Sequence, residues 1–283
     1  MQLRLLAYDI RSGVRALRRS PGFVLVAVLS LAIGIGANST LFTMVDAVRY
    51  RPLPYERSSE LVDLHEDSPT ELCAGCGVGT SFATYADWLP TLRSYQGVAA
   101  YVGEQFAVAG VALPVRVRGA RVSHELLPTL GVQALRGRAF TAEDDRIGAP
   151  AVAMLGHALW LRQFGGDPAI IGKPIRLNGA PHEVIGILPG GFVFPDAELW
   201  VPLFATATGS DRADRSVGVL GRLRKGVSVE QADAELRTVM GGIVAQHPET
   251  LAGWQGRVTT LRASLMNDAG PPFDVLLGAA GLV

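Results

Sequence analysis

The sequence predicts an α+β protein: an N-terminal transmembrane helix, then an extracytoplasmic α/β domain with a β-rich subdomain inserted into it. Three observations carry this. Residues 23–48 hold no charge until Asp46. Strand and helix patterns alternate from residue 60 to 130 and again from 217 to 261. Between them, at about 135–212, short apolar runs sit among Gly and Pro turns.

The apolar run is longer than the roughly 20 residues that a helix rising ~1.5 Å per residue needs to cross a bilayer core. We assign residues 22–50 to the span. Arg4, Arg11, Arg15, Arg18 and Arg19 precede it against Asp9 alone. Arg49, Arg51 and Arg57 follow it, mixed with Glu56 and Glu60. The cation bias puts the N-terminus in the cytoplasm. Ala37-Asn38-Ser39 also has the small-x-small form of a signal-peptidase site, but the apolar run continues through Leu41, Phe42, Met44 and Val45.

Within the span, Ser30, Gly34 and Asn38 share one stripe, and Ala32, Gly36 and Thr40 the next. Small residues four apart let helix backbones approach closely, and Asn38 in lipid wants a partner, so Gly34, Gly36 and Asn38 are the expected helix-packing residues. Ahead of the span, Leu3, Leu6, Ile10, Val14 and Leu17 recur at helical spacing, with Arg4, Arg11, Arg15 and Arg18 off that stripe. Residues 1–21 therefore read as a basic amphipathic helix on the cytoplasmic membrane surface.

Pro52 and Pro54 end the long helix. Strands are then expected over 60–65, 98–101, 105–109 and 114–122, the last with Arg116 and Arg118 alternating with Val115 and Val117. Helices are expected over 81–94 and over 123–130, the second with Ser123 as its N-cap. The β-rich interval carries strands at 152–155, 174–178, 182–188 and 198–201, and one helix at 157–164. A strand at 217–224, a helix at 228–246 opened by a Ser228/Gln231 capping box, and a strand at 257–261 complete the domain. Residues 275–283 are again apolar; nine residues rise only ~14 Å, so they form the start of a second span, assigned to 273–283.

Several chemistries are excluded. Formal net charge is zero, which removes the basic footprint of nucleic-acid binding. Gly166 and Gly172-Lys173 have one residue too many for a phosphate loop, and Pro174 stands where Ser or Thr would hold magnesium. No Gly-x-Ser-x-Gly elbow occurs. His65, His124, His157, His182 and His247 are scattered without zinc-ligand spacing. Glu143-Asp144-Asp145 could contact a metal, but acidic residues beside a Thr-capped turn account for them. No catalytic, cofactor or metal residue is assigned. Cys73 and Cys76 flank Ala74-Gly75 in an exported Gly-rich loop, which favours a loop disulfide over a redox pair.

A family resemblance follows from the motifs. Ser20-Pro21-Gly22-Phe23, Leu31-Ala32-Ile33-Gly34-Ile35-Gly36-Ala37-Asn38 and Leu53-Pro54-Tyr55 resemble the first membrane segment of MacB/FtsX-type ABC transporter permeases. The run from Gly137-Arg138-Ala139-Phe140-Thr141 to Asp144-Asp145 resembles their periplasmic core. So do Phe164-Gly165-Gly166-Asp167-Pro168, Asn178-Gly179 and Pro189-Gly190-Gly191-Phe192-Val193-Phe194-Pro195. The resemblance implies a porter-like periplasmic core over residues 51–268, in the inner membrane of a bacterium. It implies a non-catalytic permease that dimerises with itself or a relative, contacts lipid, and pairs with a separate ATPase whose hydrolysis drives efflux or mechanotransmission. Arg11, Arg15 and Arg18 are then candidate ATPase contacts. The competing expectation is a single-span periplasmic binding or adaptor module without transport, and a further one a thiol oxidoreductase using Cys73 and Cys76.

Overall fold

The computed structural model describes residues 53–67, 78–109, 114–203 and 211–268, and helical residues between 21 and 39. The chain divides into a unit of Met1–Pro52 with Met266–Val283 and a unit of Leu53–Leu265. In the first unit, Leu25, Val26, Val28, Leu29, Leu31 and Ile35 are all more than half exposed. Among the described residues no helix is long and apolar enough to cross a membrane.

The second unit is built on a mixed sheet. Its strands are β1 (Leu61–Asp67), β2 (Tyr95–Ala109), β3 (Val115–Val122), β4 (Arg136–Gly137), β5 (Val152–Leu155), β6 (Pro174–Leu177), β7 (Ala180–Ile187), β8 (Leu199–Pro202), β9 (Gly218–Leu223) and β10 (Gln255–Thr260). They lie in the order β10-β1-β9-β2-β3-β8-β5-β7-β4, with β6 against β2 and β7. Among the described residues only β3–β8 and β5–β7 run parallel. The helices are α1 (Phe82–Trp88), α2 (Leu126–Leu130), α3 (His157–Phe164), α4 (Val229–Gln246), α5 (Pro248–Leu251) and α6 (Leu261–Asp268).

Alternation along the strands builds two cores on opposite faces of the sheet. Leu61, Ala99 and Leu220 enter a cluster with Trp200, Phe192 and Phe194. Their neighbours Val62, Ala100 and Val219 enter a cluster with Trp88, Leu236 and Met240, beneath α1 and α4. Because both faces are covered, β9 is almost wholly buried and shows no polar alternation. A third cluster joins Phe106 and Trp160 to strands β5–β8.

Four expectations change. The strands expected at 98–101 and 105–109 are one, because β3 pairs without interruption from Tyr101 to Val108 and carries the backbone through Gly103. The helix expected to reach residue 94 stops at Trp88; Leu89 keeps helical dihedrals, but Pro90 has no N–H to donate the next helical bond. Ser123 does not cap α2 but accepts the Ala100 N–H at 3.0 Å, tying the end of β3 to β2. The last strand begins two residues early and runs straight into α6, which the sequence reading left out. The Ser228/Gln231 capping box is present in both directions.

Candidate coupling site

The domain is entered and left at one place. β1 starts at Leu61, β10 ends at Thr260, and Val62 pairs with Thr260 across the two antiparallel strands. Residues 53–60 lead in through a 3₁₀ turn at Ser58–Glu60. Arg57, just ahead of that turn, sits at φ 46° and ψ 50°, a left-handed conformation that costs a non-glycine residue about 1–2 kcal/mol.

Arg222 holds the lead-in. It stands on β9 opposite Leu61 and is 3% exposed. Its Nε donates to the Thr129 carbonyl at 2.7 Å, and Nη1 donates to the Arg57 carbonyl at 3.3 Å. Glu60 Oε2 lies 3.5 Å from Arg222 Nη1 and 3.1 Å from Arg57 Nη1. Among the described residues Glu60 Oε2 and Arg222 Nη2 have no aligned hydrogen-bond partner. Charge attraction in a buried setting therefore dominates this contact. One guanidinium thus joins β9, the end of α2 and the lead-in.

The apolar side of the lead-in is anchored too. Leu53 and Tyr55 pack on the cluster that contains Leu61 and Leu261. The Tyr55 ring meets Phe192 edge-on at 6.4 Å, and burial pushes its hydroxyl pKa up to about 12. Phe192 meets Trp200 in turn at 5.3 Å with the rings tilted by 44°, and Trp200 Nε1 donates to the Phe194 carbonyl at 2.9 Å. On the outgoing side Leu261 is buried and Thr260 Oγ1 accepts the Ala263 N–H at 3.2 Å. Entry and exit therefore share one core.

The motif residues are structural. Pro189-Gly190-Gly191-Phe192-Val193-Phe194-Pro195 inserts Phe192 and Phe194 into that core and leaves Val193 exposed. Asn178 and Gly179, at φ 49° and 86°, close the β6–β7 hairpin. Asn178 also accepts the Ala107 N–H at 2.8 Å. Gly166 and Gly172 occupy turns with positive φ. The acidic run splits: Glu143 is exposed, Asp144 accepts Arg138 and the Thr141 N–H, and Asp145 accepts the His124 N–H.

Of the site residues expected from sequence, Gly34 and Gly36 lie in the described helical residues, and a Cβ at either would meet nothing within 4 Å. Asn38, Cys73, Cys76, Arg11, Arg15 and Arg18 lie outside the described residues. The Arg222 node was missed. Its signal was available: a lone arginine among Val219, Leu220, Gly221 and Leu223 in an otherwise apolar strand.

The domain is a mixed α/β unit whose first and last strands are neighbours in one sheet. The chain belongs to the family of the MacB-like periplasmic core domain, whose model matches residues 24–239. Its fold is similar to the extracellular domain of the noncanonic ABC-type transporter YknZ from Gram-positive bacteria, at 17% identity and a TM-score of 0.51 over 69% of this chain and 98% of that one. It is also similar to the periplasmic region of MacB from Actinobacillus actinomycetemcomitans, at 13% identity and a TM-score of 0.54 over 75% of this chain and 93% of that one. At these identities the likeness is one of fold. No curated protein matches the sequence.

Proposed function

We propose that the chain is the membrane-integral permease part of a MacB-like ABC transporter, which couples hydrolysis by a separate ATPase to movement of its periplasmic domain. The observation that carries this reading is the pairing of Val62 with Thr260, at the start of β1 and the end of β10. A domain whose two ends emerge side by side can sit between two membrane segments and be displaced by them as one body. The buried Arg222 contacts and the shared core give such a displacement a stiff root.

The rest of the assignment follows. Residues 22–50 cross the inner membrane; the six large apolar side chains exposed between Leu25 and Ile35 support a lipid or helix-packed setting. Gly34, Gly36 and Asn38 pack against neighbouring helices. Residues 1–21 lie on the cytoplasmic face, where Arg11, Arg15 and Arg18 meet lipid or the ATPase. Residues 273–283 open a second span. The β-rich part at about 135–212 is an insert in the porter-like domain, Cys73 and Cys76 form a loop disulfide, and permeases pair as dimers.

A cross-link at the root tests the coupling. Glu56 Cβ lies 3.7 Å from where a Cβ on Gly131 would stand, within the ~3.5–4.5 Å span of a disulfide. In a Cys73→Ser/Cys76→Ser chain carrying Glu56→Cys and Gly131→Cys, purified with the ATPase that accompanies it, oxidation is expected to change ATP turnover, and reduction to restore it. Turnover indifferent to the cross-link would end the coupling claim. Failure of any ATPase to co-purify with the wild-type chain would end the permease reading.

A further inference from the structure

The geometry points to a divalent-cation site built by His124, Glu125 and Asp145. Each offers one ligand atom, and the three lie within 4.8 Å of one another. His124 Nε2 is 3.1 Å from Glu125 Oε1, and His124 Nδ1 is 3.4 Å from Asp145 Oδ2.

The donors are held from separate parts of the chain. His124 and Glu125 stand between β3 and α2, whereas Asp145 comes from the turn after Thr141. The Asp145 side chain is fully buried, and its Oδ2 accepts the His124 backbone N–H at 2.8 Å. That bond fixes the carboxylate beside the imidazole before any cation arrives. The Glu125 carboxylate is partly open to solvent, yet its Oε2 is a buried atom without a hydrogen-bond partner among the described residues. This oxygen is a donor already stripped of water with nothing to satisfy it. The partly exposed His124 and Glu125 leave an entry path. The buried Tyr85 ring packs near the same carboxylates, whose charge adds to burial in raising its hydroxyl pKa.

One imidazole and two carboxylates suit a borderline cation of the zinc type better than calcium or magnesium, which prefer all-oxygen shells. Tetrahedral ligand atoms ~2.0–2.2 Å from zinc stand about 3.3 Å apart, close to the 3.4 Å between His124 Nδ1 and Asp145 Oδ2; water completes the shell. Only one ring nitrogen can bind; with Nδ1 beside the fixed Asp145, the more exposed Glu125 closes in by a side-chain rotation. The bound cation would tie the end of β3 to the turn at Thr141 and so brace α2, whose far end is held by Arg222 through the Thr129 carbonyl.

The test uses the full chain in detergent with Cys73→Ser and Cys76→Ser, so that no thiol competes for metal. Zinc bound after dialysis and the Tm with and without chelator are measured, alongside Glu125→Gln and His124→Ala. One retained zinc, a Tm several degrees higher with zinc, and loss of both in the two variants are expected. A wild-type chain that retains no zinc and melts alike with zinc and chelator overturns the site, leaving His124 as a side chain set between two carboxylates. An equal zinc effect in Glu125→Gln, which should fold normally, overturns it as well.

Discussion

The half of the sheet beneath α4 and the half beyond β8 are held in place by different means. In the first, a capped 18-residue helix lays Ala232, Leu236, Met240 and Ile243 onto β1, β9 and β10. Regular periodicity does the positioning there, and the outer helix face is unconstrained. In the second, strands are as short as two to four residues and turns set their register. Gly137 approaches the Ile185 carbonyl, Asn178 locks the β6–β7 turn to β2, and Arg138 grips Asp144. Solvent exposure is therefore a poor guide to tolerance in the second half and a good one in the first.

The strongest way to break the second half is at Trp200, which is fully buried and donates to Phe194. Trp200→Ala should cost about 3–5 kcal/mol, from lost burial and the cavity left behind. Urea unfolding of the folded core would read this directly, and a loss below ~1 kcal/mol would show that the aromatic plug does not organise this half.

Glycine sharpens the contrast because one substitution should change sign between the halves. Gly137 is exposed but has φ 73°, and an added Cβ would run into the Ile185 carbonyl. Gly137→Ala should destabilise by about 2 kcal/mol or more, from left-handed strain and the clash. Gly241 on α4 is exposed and a Cβ there meets nothing within 4 Å. Gly241→Ala should stabilise by about 0.5–1 kcal/mol. Equal signs for the two would erase the distinction drawn between the halves.

The same difference explains what the sequence disclosed. Ser228 with Gln231, the α3 span and the apolar β5 and β9 runs are local signals, and each was legible. The union of residues 95–109 into one strand depends on pairing with β3, and the second role of Ser123 depends on Ala100, 23 positions away; neither pairing is a property of the segment itself. Pro90 did announce the end of α1 and was outweighed by the apolar spacing of Leu89 and Leu92. The root of the domain was not legible. Arg222 acts through Thr129, Arg57 and Glu60, 93 to 165 positions away. Only its apolar neighbours in β9 hinted that an arginine there must find buried partners.

The smallest expected effect tests the turn chemistry by pH. The Arg138 guanidinium, helped by the Thr141 N–H and hydroxyl, holds the Asp144 carboxyl below its ordinary value against the opposing cost of burial. The folded state therefore binds this proton less readily than the unfolded chain does. Its contribution is fully present above the unfolded value of roughly 3.9, and is lost as pH falls through the lower folded value. Arg138 is half exposed, so water screens the pair and a few tenths of a kcal/mol are at stake at neutral pH. Asp144→Asn should be slightly less stable than the wild type at pH 6, and the two should converge as the pH drops below about 4. A gap that stays constant down the acid limb would mean that the carboxylate charge is idle and that Asp144 serves the turn by shape alone.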